Sequence, residues 1–147
     1  DTASPYAADW GGRTLADGET YHLRAIITDA ADNSYTTSTV VITVDTTAPT
    51  GSITAPAAGA VAGTQPAFTA EGSDAGSGVK QVVFQWSTES APATWNTLST
   101  DTTSPYGAAW GTTALEDGNT YYLRVVITDN AGNLTTVGPI EITVDLP

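Results

Sequence analysis

Hydrophobic and polar residues alternate along this chain with a period of two, in short runs. The run Asn119–Asp129 shows it most clearly. Tyr121, Leu123, Val125 and Ile127 fall on one side of an extended backbone, and Tyr122, Arg124, Val126 and Thr128 on the other. Val82, Phe84 and Trp86 form one such face in Val79–Ser87, and Ile140, Ile142 and Val144 form another near the end. Thr, Val, Ile, Tyr and Trp fill these runs, while Gly, Pro, Asn and Asp punctuate them. No segment carries the 3.6-residue period of a helix. The pattern predicts strands near Gly51–Thr54, Pro66–Gly72, Val79–Ser87, Thr94–Leu98, Tyr106–Trp110, Asn119–Asp129 and Thr136–Val144. The expectation is an all-β fold.

The chain also repeats itself. Residues 1–47 lie over residues 101–147 without a gap, at an offset of 100, and 25 of the 47 positions are identical. Ser4-Pro5-Tyr6 returns as Ser104-Pro105-Tyr106, Trp10-Gly11 as Trp110-Gly111, and Ile42-Thr43-Val44-Asp45 as Ile142-Thr143-Val144-Asp145. A period of 100 residues is the size of a sandwich domain and too long for a solenoid repeat. The expected organisation is one complete repeat, 48–147, preceded by the C-terminal half of another, 1–47, with the Pro49-stiffened stretch Asp45–Thr50 at the joint. A half sandwich cannot bury its strands alone. Either the chain is cut from a longer array, or another chain supplies the missing strands.

The string from Leu115 to Val125, Leu-Glu-Asp-Gly-Asn-Thr-Tyr-Tyr-Leu-Arg-Val, reads as a tight turn followed by a strand whose early Tyr returns its hydroxyl to the turn, a tyrosine corner. Here the chain resembles fibronectin type III domains and, more closely, bacterial immunoglobulin-like repeats. Asp45-Thr46-Thr47-Ala48-Pro49, Ser73–Val79 and Thr128–Asn133 look like the linker and loop signatures of those repeats. The resemblance implies a seven-strand Greek-key β-sandwich of the immunoglobulin-like kind. It also implies a tandem array on a bacterial surface protein such as an adhesin or stalk. The partners would be adjacent repeats of the same or neighbouring chains, with glycans or a host surface met by distal domains. The first copy departs from the pattern at Ala30-Ala31-Asp32-Asn33, where the second has Asn130-Ala131-Gly132-Asn133. That departure puts the first copy's turn in question, because glycine is the residue that tolerates a positive φ.

Composition narrows the chemistry. Four basic side chains stand against 16 acidic ones, a net charge of −12. Phosphate binding needs clustered Lys and Arg, so nucleic acid is excluded as a partner, and an anionic membrane surface with it. No apolar run approaches the ~20 residues that span a bilayer. Zero Cys removes disulfides, thiolate metal sites and cysteine nucleophiles together. The one His, His22, aligns with Tyr122 on an outward strand face, and no triad can be built around it. Glu116-Asp117 sits in a turn, Glu71 and Glu89 are isolated, and Gly76-Ser77-Gly78 precedes a strand, not a helix. The expectation is a protein that is not an enzyme. Lys80, the only Lys, reads as an exposed charge at a strand start and not as a crosslinking residue.

Calcium is the cofactor the sequence raises. Ca²⁺ takes six to eight oxygens from carboxylates, amides, carbonyls and water. In a seven-strand sandwich of this type the entering linker, the loop after the second strand and the loop after the sixth share one pole. Asp45 ends the preceding repeat, Asp74 lies in the first loop, and Asp129, Asn130 and Asn133 lie in the other. These five are the expected ligands of an interdomain Ca²⁺. The alternative is that Asp, Asn and Gly simply make good turns. A sugar platform built from Trp95, Tyr106 or Trp110 is the competing binding chemistry, although Trp10 recurring at the place of Trp110 points to packing. The leading functional expectation is a rigid, non-enzymatic spacer outside a bacterial cell. A glycan-binding or spacer module of a polysaccharide-active protein, and a filament subunit completed by neighbouring chains, are the alternatives.

Overall fold

The computed structural model describes residues 1–147 apart from Thr112 and Ala114. The described residues form twelve strands and no helix. They divide into two compact units, Asp1–Thr46 and Thr47–Pro147.

The first unit carries β1 (Thr20–Leu23), β2 (Ile26–Thr28), β3 (Ser34–Thr36) and β4 (Val40–Thr43). β1 pairs antiparallel with β4, and β2 with β3. The ladder breaks between Leu23 and Ile26, where the Ala25 N–H donates to Thr37 Oγ1 at 2.9 Å. The β2–β3 turn keeps its left-handed residue: Asp32 holds φ at 67° where Gly132 in the second copy holds 97°. Asp is among the few L-residues that accept this region, so the departure from glycine is absorbed without losing the turn.

The second unit is a β-sandwich. Its smaller sheet has the order β10 (Tyr106–Ala108), β7 (Phe68–Ser73), β5 (Thr50–Ala55). Its larger sheet has the order β6 (Ala60–Ala62), β12 (Leu134–Val144), β11 (Thr120–Asp129), β8 (Val79–Ser87), β9 (Asn96–Asp101). All the expected strands are present, and β8 has the expected limits. The eighth, β6, was not expected. It is only Ala-Val-Ala, too short and too small to carry a period, and its parallel pairing with β12 is what makes it a strand.

The alternation read in β11 is the organising feature of this sandwich. Tyr121, Leu123, Val125 and Ile127 are all buried, with Asp129 next in the same phase. Against them pack Phe68, Val82, Phe84, Trp110, Ile142 and Val144. The Phe68 and Phe84 rings meet edge to face at 4.9 Å, and the Trp110 indole N–H reaches the Pro66 carbonyl at 2.7 Å. Trp86 shares the inward face and meets the Tyr121 ring at 5.8 Å, but at the margin of the core, where it is half-buried. At β5 a Cβ on Gly51 would lie 2.3 Å from the Glu71 carbonyl oxygen of the neighbouring strand β7 and 2.4 Å from Ile127 Cδ1 of the facing sheet. Only a residue without a side chain fits.

Candidate metal site

The candidate residues of the second unit follow from how its two loops are tied. β11 ends on Asp129, which is fully buried. Its Oδ1 accepts the N–H groups of Gly132 at 2.7 Å and Asn133 at 2.8 Å, and its Oδ2 accepts the Asn133 side-chain amide at 2.8 Å. The same three-point wrap occurs in the first unit, where Asp29 Oδ1 accepts from Ala31 and Asn33 and its Oδ2 from the Asn33 side chain. There the Asn33 side chain, aided by the Asn33 and Ala31 backbone N–H groups, holds the Asp29 carboxyl below its usual range. The wrap is therefore a device for closing this turn.

Asn130 straps one loop to the other. Its side-chain amide donates to the Ser77 and Gly78 carbonyls, both at 2.9 Å, and its backbone N–H donates to Gly78 as well. Asn133 also reaches the Thr47 carbonyl, at 3.3 Å. Both Asn side chains thus direct their N–H groups into loop structure.

Asp74 follows β7. Its Oδ2 accepts the Gly78 N–H at 2.7 Å. Its Oδ1 is buried and has no hydrogen-bond partner among the described residues. One carboxylate oxygen of Asp74 lies within 4.8 Å of one of Asp129. Two oxygens on one Ca²⁺, each at 2.3–2.6 Å, stand at most about 5 Å apart, so this pair fits a shared cation. Asp45, the remaining expected ligand, belongs to the first unit, follows β4 and is half-buried.

The sugar-platform residues are placed differently. Tyr106 and Trp110 are core side chains. Trp95 is half-buried, and the Arg124 guanidinium carbon sits 4.3 Å from its ring centroid while Arg124 Nε donates to Gln85 Oε1 at 2.8 Å. One aromatic face is already stacked. His22 and Lys80 are exposed, as expected.

Four aspartates outside the expected set prove to have defined roles. Asp117 Oδ1 accepts the Leu146 N–H at 2.7 Å, and Asp17 Oδ1 accepts that of Thr46 at 2.6 Å. Asp101 accepts from Thr103 and Gly107, and Asp1 from Ala3 and Ala7. The signal was available: each pair recurs at the repeat offset.

The architecture is that of an immunoglobulin-like sandwich module closed by a tyrosine corner. Residues 49–125, more than half of the chain, match the family described as Bacterial Ig domain, and the chain belongs to that family. Among solved structures, the fibronectin(III)-like modules of CbhA from Clostridium thermocellum are similar, with a TM-score of 0.66 and 23% sequence identity over 99% of this chain and 70% of that one. No curated protein matches the chain. Modules of these kinds are typically non-catalytic and common in extracellular proteins.

Proposed function

We propose that the chain is a non-enzymatic structural repeat of a bacterial surface protein or adhesin, acting as a rigid spacer outside the cell. The observation that carries this reading is where the chain spends its side chains. In the second unit most of the large aromatic and aliphatic groups go to one core, and the loop aspartates and asparagines tie turns to strand ends. The repeat at an offset of 100 residues supports use in series, and the net charge of −12 keeps neighbouring spacers apart. The burial of Tyr106 and Trp110 and the stacking of Arg124 on Trp95 weigh against the glycan-binding alternative. Antibodies raised against the chain should label intact, unpermeabilised cells of its source. Labelling that appears only after lysis would overturn the reading.

A second element rests on Asp74. A buried carboxylate oxygen without a donor, close to a second buried carboxylate, is repulsive unless a cation stands between them. Calcium at the Asp74–Asp129 pair relieves both problems and stiffens the loops that carry them. It would act as a structural ion.

A further inference from the structure

The outward face of the larger sheet holds a fixed cation with no carboxylate on it. Arg124 lies on the side of β11 that faces away from the core, opposite Gln85 of β8, and Gln85 lies opposite Thr97 of β9. Hydrogen bonds run along this row. Gln85 Nε2 donates to Thr97 Oγ1 at 3.3 Å, and Arg124 Nε donates to Gln85 Oε1 at 2.8 Å. The Trp95 ring covers one face of the guanidinium, its centroid 4.3 Å from Arg124 Cζ. The side chain is thus held by one edge and one face. Its two Nη groups have no hydrogen-bond partner among the described residues and are not buried.

The charge balance makes this unusual. The chain carries 16 acidic side chains against four basic ones, yet none is paired with Arg124 among the described residues. Glu141, on the neighbouring strand β12, lies opposite Tyr122 and accepts that hydroxyl instead. Burial holds the Arg124 guanidinium below its usual pKa, as expected of a cation that has lost water without gaining a counter-ion. It stays charged at neutral pH. With Nε taken by Gln85, the Nη1–Nη2 end remains as a planar fork that matches the two oxygens of a carboxylate. The ordering such a contact requires is met in advance by Gln85 and Trp95. The net charge of −12 repels anions of higher charge, such as sulfate, more strongly than a single carboxylate. We propose that Arg124 is a binding site for a monocarboxylate, with Gln85 and Trp95 as its positioning residues. The contact that takes one face of Trp95 from any sugar is what builds the fork. Arg24 stands at the same place in the first copy, and it is the one basic position that residues 1–47 and 101–147 share. Use of the chain in series presents this arginine once per repeat, so weak single contacts gain by multivalency.

The test titrates the full chain with sodium acetate at constant ionic strength and follows the Arg124 Nε–H and Trp95 indole N–H signals by heteronuclear NMR. Both should shift saturably, with a midpoint in the millimolar range, while chloride and sulfate leave them in place. Arg124→Lys keeps the charge and loses the fork, and should raise the midpoint, read at Trp95, at least about tenfold. Gln85→Glu keeps an acceptor for Arg124 Nε and sets a carboxylate beside the guanidinium. It should weaken acetate by a similar factor while the β11 amide signals report an unchanged sheet. Glucuronate and N-acetylglycinate, each with one carboxylate, separate the sources. A lower midpoint for the first assigns a sugar acid, a lower one for the second an amino-acid carboxylate, and equal midpoints a bare carboxylate; all three uphold the fork. No saturable shift with acetate, the same shift in both variants, or sulfate binding as tightly as acetate would overturn the inference. These readouts are independent of where the protein resides, so a negative labelling result on cells leaves them unchanged.

Discussion

The hydroxyl of Tyr121 accepts the backbone N–H of Glu116 at 3.0 Å, which ties the first turn of β11 to the loop that feeds it. Tyr21 does the same for Ala16 at 3.2 Å. The two corners differ in their surroundings: Tyr121 is buried and Tyr21 only half so. Tyr121→Phe removes the acceptor and leaves the Glu116 N–H unmet, which should cost about 1–3 kcal/mol in urea unfolding. Tyr21→Phe should cost less, since the Tyr21–Ala16 bond is exposed and the Tyr21 ring only half-buried.

In the core, Phe84 has no exposed surface and its ring meets Phe68. Phe84→Ala should destabilise by about 3–5 kcal/mol. Trp86→Ala, at the half-buried margin, should cost clearly less despite removing the larger group. Equal losses measured by denaturant titration would mean that the margin is drier than the fold indicates.

How much of this was legible in the sequence depends on range. β8 and β11 were readable to within a residue because Val82-Phe84-Trp86 and Tyr121-Leu123-Val125-Ile127 alternate strictly, and alternation is a local property. β6 was not, since Ala60-Val61-Ala62 becomes a strand only through β12. The Tyr121 hydroxyl bond was foreseen because turn and strand are contiguous. The grouping of Asp74 with Asp129 followed from topology. The orphaned Oδ1 of Asp74 did not, because it depends on which way one carboxylate turns when Gly78 takes the other oxygen. The Arg124–Trp95 stack brings together residues from separate strands and loops, and no spacing announces it.

Gly51 offers a test of how tightly the two sheets meet. A methyl group there would contact both the Glu71 carbonyl and Ile127 Cδ1 at far less than van der Waals distance. Gly51→Ala should therefore lower stability by about 1–3 kcal/mol, by forcing β5 away from β11 in the facing sheet and from β7 beside it. Thermal unfolding of the variant checks this.

Acid should loosen the β9–β10 turn. The Gly107 N–H chiefly, and the Thr103 N–H next, hold the Asp101 carboxyl below the ordinary value of 3.8. A group depressed in the folded state contributes its stabilisation fully above the unfolded value and loses it as pH falls through the folded one. The urea midpoint should thus decline below about pH 4, and Asp101→Asn should flatten part of that decline.

Calcium should raise the melting temperature of the chain, with a chelator reversing the effect. Asp74→Asn can keep the bond from Gly78 while removing one charge from the pair. It should melt higher than the unsubstituted chain in chelator and lose the response to Ca²⁺. Asp129→Asn should lose the response and also melt lower, because its oxygens accept three N–H groups. A melting temperature of the unsubstituted chain that ignores millimolar Ca²⁺ would retire the site.

The three residues of β6 bear on crowding. They cover β12 only from Ile142 to Val144, while Pro139, farther back on the same strand, has no N–H to offer. An incoming chain therefore meets a stub at one end of this border and a missing donor in its middle, so the larger sheet makes a poor template there for adding strands. Molecules held side by side at high local concentration can brush edges without polymerising. A three-residue strand thus helps to keep each sandwich to itself.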